Sequence, residues 1–476
     1  MNILVINPYR SYRKYAKKLI RVADLTQLNE REGGRLYEQG TFPLESLYIC
    51  SIIRESGHQV DFLDAHQKQL LPEYCDFSKF DVVISNTAPY GKWRCPQLMI
   101  DHTLDVITTA KRQGCKTIVY GPQATVDHET FLKTSDVVIQ GEPEGVIGEA
   151  LNNSFSGLIK ADSNRPVDLD SLPFPAYDLV EFDLYDSAPI FSKKLKGRLG
   201  VLHGSRGCPY SCSFCFKVMV SSKLKRHSPK QVFNIAKTLI RTYGCKALEF
   251  MDLSFTIDKN WTIEVCNYLK ELNTNYAVMS RCDSIDFDIA TALSNSGCYK
   301  IDLGIESAND SVLKINNKLY FWDTIKNAVS LCRSVKIPNI QGFQVLFLPG
   351  ETRETLKDSI EKIKGLGCVL FLPVCTPYPQ TEIWQEGIRE GKIPPNLRSW
   401  QEMGNTAIQV AGTIGNEFKK EEVAILREKI IIDNSIMLSL NYIKFFGLFS
   451  FINKIKRSFI KKLFSKLKLS HGYSNK

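Results

Sequence analysis

Gly204-Ser205-Arg206-Gly207-Cys208-Pro209-Tyr210-Ser211-Cys212-Ser213-Phe214-Cys215 constrains this chain more than any other stretch. It follows the apolar run Leu199 to Leu202, which reads as a buried strand. Three cysteines then fall in a Cys-x3-Cys-x2-Cys pattern on a loop. Such spacing can aim three thiolates at one place, and thiolates are the usual protein ligands of iron–sulfur clusters. Three ligands on a four-iron cube leave one iron open to a substrate or cofactor. A zinc site is the rival reading, although structural zinc normally takes four protein ligands. Three reduced cysteines on a glycine-flanked loop are the third reading.

The rest of the chain supplies a scaffold of alternating strands and helices. Asn2 to Ile6, Gln59 to Leu63, Asp81 to Ser85, Lys116 to Tyr120 and Asp136 to Ile139 read as strands; Leu44 to Glu55 and Leu98 to Arg112 read as helices. The alternation predicts a parallel, doubly wound sheet, with ligands at the carboxyl ends of its strands. The loops there are Asn86-Thr87-Ala88, Gly121-Pro122-Gln123-Ala124-Thr125 and Gly141-Glu142-Pro143-Glu144, small enough to admit a large planar ligand. Ordinary tight turns are the competing reading. No Gly-x-Gly-x-x-Gly follows the first strand, which counts against a dinucleotide. Leu151 to Leu195 reads as an ordered, proline-rich connector.

The alternation resumes from Arg198. Candidate strands are Leu199 to His203, Lys246 to Met251, Tyr276 to Ser280, Tyr299 to Leu303, Gly342 to Phe347 and Val369 to Pro373. Helices fit between them at Pro229 to Tyr243, Asn260 to Leu272, Asp286 to Ser296, Trp322 to Val335 and Glu354 to Leu366. Six strands joined in this way predict a partial (β/α)6 barrel, with its site at the strands' carboxyl ends. Asp252, Arg281, Glu306 and Gly350-Glu351 fall at those ends. Each alone reads as a cap or surface ion pair; together they could hold ammonium, hydroxyl and carboxylate groups.

The cysteine loop resembles that of the radical S-adenosylmethionine (SAM) enzymes, Cys-x3-Cys-x-aromatic-Cys, with Phe214 in the aromatic slot. The resemblance implies a 4Fe–4S cluster held by Cys208, Cys212 and Cys215. It also implies SAM on the open iron beside Phe214, Asp252, Arg281 and Glu306, and reductive cleavage to a 5′-deoxyadenosyl radical. The N-terminal stretches Pro43-Leu44-Glu45-Ser46-Leu47-Tyr48, Gly121-Pro122-Gln123-Ala124-Thr125 and Gly141-Glu142-Pro143-Glu144 resemble the cobalamin-binding domain of one large class of these enzymes. That likeness implies cobalamin at Asn86, Thr87, Gly121, Pro122, Gln123, Ala124, Gly141 and Glu142. Asp64-Ala65-His66 is an incomplete match to the motif that supplies a histidine ligand elsewhere, so His66 is expected to be a surface residue. Gly304-Ile305-Glu306-Ser307, Leu348-Pro349-Gly350-Glu351-Thr352 and Pro377-Tyr378-Pro379-Gln380-Thr381 follow in the family's order.

The expected architecture is α/β throughout. A cobalamin-binding doubly wound domain spans 1–152, a connector 153–195, the radical SAM barrel 196–392, and a helical region with a basic tail 393–476. The family implies a methyltransferase acting on an unactivated carbon; a radical cyclase or oxidase without methyl transfer and a non-catalytic cobalamin or redox sensor are the alternatives. An electron donor such as flavodoxin or ferredoxin is implied as partner.

Fourteen cysteines with no recognisable export signal point to a reducing cytoplasm. The net charge of +10 is local, because no Asp or Glu occurs from Asn434 to Lys476; a nucleic-acid-binding body is therefore not expected. In the tail, Ile452, Ile455, Phe459, Ile460, Leu463, Phe464 and Leu467 recur at helical spacing among basic residues such as Lys454, Arg457, Lys461 and Lys466. That stripe predicts an amphipathic helix on an anionic membrane surface, which would suit a lipid substrate; a helix packed on the barrel and a basic arm for RNA are the alternatives.

Overall fold

A computed structural model describes residues 1–7, 42–65, 72, 75–88, 100–161, 167–185, 195–219 and 221–433. His66 and the basic tail from Asn434 lie outside the described residues.

The first sheet is six-stranded and wholly parallel. Its strands are β1 (Asn2–Asn7), β2 (Gln59–Asp64), β3 (Val82–Asn86), β4 (Lys116–Tyr120), β5 (Val137–Gln140) and β6 (Gly157–Lys160), in the order β2-β1-β3-β4-β5-β6. From Ile3 onward β1 is buried at every position, as a central parallel strand covered on both faces must be. The order reverses at β1, so right-handed crossovers place helices on both faces. The helix Leu44–Glu55 packs against β1 and β2. β6 comes from the stretch read as connector. Its four residues, Gly157-Leu158-Ile159-Lys160, are too few to show periodicity, yet they complete the sheet beside β5.

The second sheet contains β7 (Leu199–Leu202), β10 (Ala247–Phe250), β11 (Asn275–Arg281), β12 (Cys298–Glu306), β13 (Asn339–Gln344) and β14 (Val369–Phe371). A two-stranded ribbon of β8 (Ser205–Arg206) and β9 (Lys225–Arg226) stands apart from it. The order β14-β13-β12-β11-β10-β7 is monotonic and parallel, and β14 does not pair with β7. Right-handed crossovers along a monotonic order put every helix on one face, so the sheet curls into an open barrel with the other face inward. The helices Pro229–Arg241, Lys259–Lys270, Phe287–Asn295, Trp322–Ser334 and Arg353–Gly365 cover the outside. Ser228, Asp258, Asp286 and Thr352 cap four of them through side-chain acceptors, which fixes where each strand-to-helix loop ends.

Beyond the barrel, helices Glu382–Arg389, Trp400–Gln409 and Lys420–Asp433 continue the chain. Trp400 is buried against Phe216, and its backbone N–H donates to Asp127 of the first domain at 2.6 Å. Among the described residues no helix is long and apolar enough to cross a membrane.

Candidate active site at the barrel mouth

The cysteine loop is an excursion stapled at its base. Ser205 and Arg206 pair antiparallel with Arg226 and Lys225, and the Cys208 N–H donates to the Ser221 carbonyl at 3.1 Å. Gly207 has φ +96°, and a Cβ there would lie 2.1 Å from the Lys223 carbonyl oxygen, so only glycine closes the staple. Past it, Cys208, Cys212 and Cys215 form no disulfide, and none is fully buried. Ser213 anchors the middle of the loop, its hydroxyl donating to Asn316 Oδ1 at 2.7 Å. Asn316 in turn donates to the carbonyls of Val312 and Pro349.

Two cations flank Cys212. Arg281, the last residue of β11, points Nη1 at the Cys212 sulfur at 3.8 Å and stacks on Tyr210 at 3.5 Å. Asp283 and the Lys318 carbonyl hold the rest of its guanidinium. Lys318 is buried, with Nζ donating to Glu306 at 2.7 Å and lying 5.9 Å from the Phe214 ring centroid. Burial alone would lower this ammonium; the Glu306 carboxylate overcomes it and holds it well above its ordinary value. Glu306, Asn317 and Leu319 all have φ between +52° and +62°, backbone strain concentrated where the loops converge on the cysteines.

The predicted SAM residues therefore part company. Phe214, Arg281 and Glu306 meet around Cys212 through Lys318. Asp252 instead lies beneath the loop, its two oxygens accepting from the Gly204 N–H at 2.8 Å and the Ser205 hydroxyl at 2.6 Å. Burial pushes its carboxyl up to about 6 against those hydrogen bonds. In this structure those two bonds tie it to the start of the cysteine loop. Lys318, Asn316, Tyr320 and Ser205 escaped sequence reading, for no periodic pattern marks the segment Asn316 to Tyr320. Its Asn316-Asn317 turn, close after Glu306, was the one available signal.

Glu351, also at the mouth, is buried. One carboxylate oxygen accepts from the Phe347 and Leu348 N–H groups, and burial pushes its carboxyl up to about 8. A raised carboxyl means that the folded protein binds more protons than the unfolded chain between about pH 4.5 and pH 8. Its stabilising contribution is thus full below that window and is lost as pH rises through it. Glu351→Gln should flatten the pH dependence of stability there, by an amount on the order of a few kcal/mol, measured as urea midpoints at pH 5 and pH 8.5. Equal slopes for both proteins would contradict this burial.

A single zinc ion would need thiolates about 2.3 Å from one point. Among the described residues no three His, Cys, Asp or Glu side chains are so arranged. Cys208, Cys212 and Cys215 on one glycine-stapled loop are the donor set that a three-ligand iron–sulfur cube takes.

At the first sheet the predicted cobalamin loops also come together. Asn7 and Asn86 meet across the β1/β3 switch point, Asn86 donating to Glu45 and Ser46 at 2.8 Å each. Asn86 Oδ1 is buried with no hydrogen-bond partner among the described residues, a polar atom that a ligand's donor would satisfy. Gly121 has φ +121°, and a Cβ there would lie 2.3 Å from Thr87 Oγ1. Pro122, Gln123 and Ala124 are fully covered, and the Gly141 N–H donates to Thr125 Oγ1 at 3.0 Å. The edge faces the barrel: Thr125 Oγ1 lies 2.9 Å from the Met219 sulfur, and Ala88 packs with Met219 and Met251. Glu142 pairs through its carboxylate with Lys225 of β9, and Glu144 pairs with Arg206 of β8.

A family model, the radical SAM superfamily, matches residues 202–363. An uncharacterised methyltransferase of Pyrococcus horikoshii is 28% identical over 377 residues, spanning 73% of this chain and 78% of its own. The anaerobic magnesium-protoporphyrin IX monomethyl ester cyclase of Rubrivivax gelatinosus is 23% identical over 395 residues, spanning 75% of this chain and 68% of its own. The radical SAM methyltransferase TsrM of Kitasatospora setae, solved with cobalamin and a [4Fe-4S] cluster, shares the fold with a TM-score of 0.58 at 14% identity, covering 85% of this chain and 81% of that one. The chain is an enzyme with a radical SAM domain at residues 202–363, similar over most of its length to a methyltransferase sequence and in fold to a radical SAM methyltransferase that carries cobalamin.

Proposed function

We propose that this enzyme transfers a methyl group to an unactivated carbon of a small-molecule or lipid substrate. The observation that carries the reading is the meeting of two carboxyl edges. The cysteine loop and its cations sit at the mouth of the barrel, and the β3–β4–β5 loops face that mouth through Thr125, Met219 and Met251. When bound, the cluster and SAM would supply a 5′-deoxyadenosyl radical for hydrogen abstraction from the substrate, and cobalamin would supply the methyl group. Cys208, Cys212 and Cys215 would hold the cluster. Phe214 and the Arg281–Lys318–Glu306 group would line the SAM side. The orphaned Asn86 Oδ1 and the side-chain-free backbone at Gly121 would line the cobalamin side. The chain's own task is placement and exclusion of water, with electrons from a reduced donor protein such as a flavodoxin or ferredoxin.

The test is mass spectrometry of small molecules after anaerobic incubation of the reconstituted enzyme with extract of its source cells and methyl-deuterated SAM. A product heavier by a fully deuterated methyl is expected. Release of 5′-deoxyadenosine with no labelled product would favour the second reading, radical cyclisation or oxidation, which the cyclase of Rubrivivax gelatinosus brings into view.

A further inference from the structure

The ribbon β8–β9 is two residues long on each strand, and among the described residues it pairs with neither sheet. A ribbon so short has little stability of its own, so its shape depends on what its side chains grip. Its register sets Arg206 directly opposite Lys225. Like charges directly opposite destabilise a strand pair, and these two are buried, their side chains 2% and 7% exposed. A carboxylate meets each of them. Glu144 pairs with Arg206 and Glu142 with Lys225, and both acids come from the loop that follows β5 in the first domain. Two cations on the ribbon thus close against two acids on one loop, and the shape of the ribbon is tied to where that loop stands.

Each end of this clamp runs into a predicted cofactor site. Cys208 lies two residues beyond Arg206, and a Cβ at the intervening Gly207 would strike the backbone of Lys223, two residues before Lys225. Ribbon and cysteine loop therefore shift together. On the other side, the Gly141 N–H donates to Thr125 Oγ1 and the Gln140 side chain donates to the Thr125 carbonyl, each at 3.0 Å. Thr125 ends the 121–125 loop, whose Gly121 lies against Thr87, the neighbour in sequence of Asn86 with its orphaned Oδ1. A buried ion pair gains from its charges only when its geometry is good, so a small displacement of the 141–144 loop is felt at the ribbon.

We propose that Lys225 is a positioning residue that links the two cofactor sites: through Glu142 it fixes the base of the cysteine loop to the loop beside cobalamin, so that bound cobalamin slows loss of the cluster. A ligand seated at the β3–β4–β5 loops holds Thr125, Thr125 holds the 141–144 loop, and that loop holds the two cations at the base of the cysteine loop. The link is reciprocal, since whatever steadies the ribbon also steadies the 141–144 loop. This assignment rests on the reading that those loops take cobalamin, and it adds how one cofactor secures the other.

Iron release to a ferrous chelator tests it, timed anaerobically on the full-length enzyme with its cluster reconstituted, with and without saturating hydroxocobalamin. In the wild type, hydroxocobalamin should slow release about tenfold, within the range that coupling between two sites commonly spans. Lys225→Met should bring that ratio close to one, and Lys225→Arg should keep most of it. The isosteric Glu142→Gln should lower the ratio as Lys225→Met does, and it keeps the test available if Lys225→Met does not fold. A pair that merely held the protein together would speed release equally in both conditions and leave the ratio unchanged. An unchanged ratio in Lys225→Met and Glu142→Gln would therefore overturn the assignment. Failure of Glu142→Gln to bind hydroxocobalamin, measured by absorbance after gel filtration, would also overturn it, by making Glu142 a ligand contact and not a link. Wild-type enzyme that binds hydroxocobalamin without slower iron release would remove the link alone. Wild-type enzyme that binds none would remove the cobalamin reading on which the link rests.

Discussion

Replacing Cys208, Cys212 or Cys215 by Ala is expected to remove the iron–sulfur absorbance and to lower SAM cleavage by about a thousandfold or more, because the cofactor carries the chemistry. The three thiols occupy one loop, and no other cysteine shares it. Cys245 and Cys332 are the contrast. Both are buried under the helices, and burial pushes each thiol up to about 12, so neither is a ready thiolate. Their Ala variants should keep both absorbance and turnover. Iron content, visible absorbance and 5′-deoxyadenosine release in the same samples decide the matter. Full activity in any one of the three loop variants would contradict the ligand assignment.

The next largest expected effect lies between the domains. Arg206 of β8 and Glu144, in the loop that follows β5, form an ion pair whose side chains are 2% and 0% exposed. The guanidinium also lies 5.0 Å from the Tyr48 ring centroid. Arg206→Leu leaves the Glu144 carboxylate buried without its cation and should destabilise the protein by about 3–5 kcal/mol, read from urea midpoints. Arg206→Leu combined with Glu144→Leu should recover most of that loss, since a buried pair gains little over apolar packing. The single variant should also loosen the cysteine loop, because Arg206 is two residues from Cys208 and belongs to the ribbon that closes the loop. A double variant as unstable as the single one would show that Arg206 acts through other contacts.

Much of this architecture was readable from hydrophobic alternation. The barrel strands and their helices fall within a few residues of the sequence reading at every position, because most of the strands carry apolar runs and four of the five helices begin at a capping side chain. Ser228, Asp258 and Asp286 announce those caps in the sequence itself. β6 was missed because four residues carry no period, and only pairing with β5 makes them a strand. The site was readable where residue type dictates chemistry, as with the cysteines and Arg281. It was not readable where partners are set by tertiary contact. Asp252 sits at a strand's carboxyl end as expected, yet turns back to Gly204 and Ser205. Glu142 sits on a predicted ligand loop, yet pairs with Lys225, which is distant in sequence. Nothing local to either residue distinguishes a ligand contact from a contact with another part of the chain.

Electron paramagnetic resonance of the reduced cluster, recorded with and without SAM, tests most directly whether three cysteines hold a cube with one open iron. Binding of SAM at an iron that lacks a protein ligand should shift the signal, and the shift should disappear in the Cys212→Ala variant along with the cluster. A cluster signal in the wild-type enzyme that does not respond to saturating SAM would contradict the central claim.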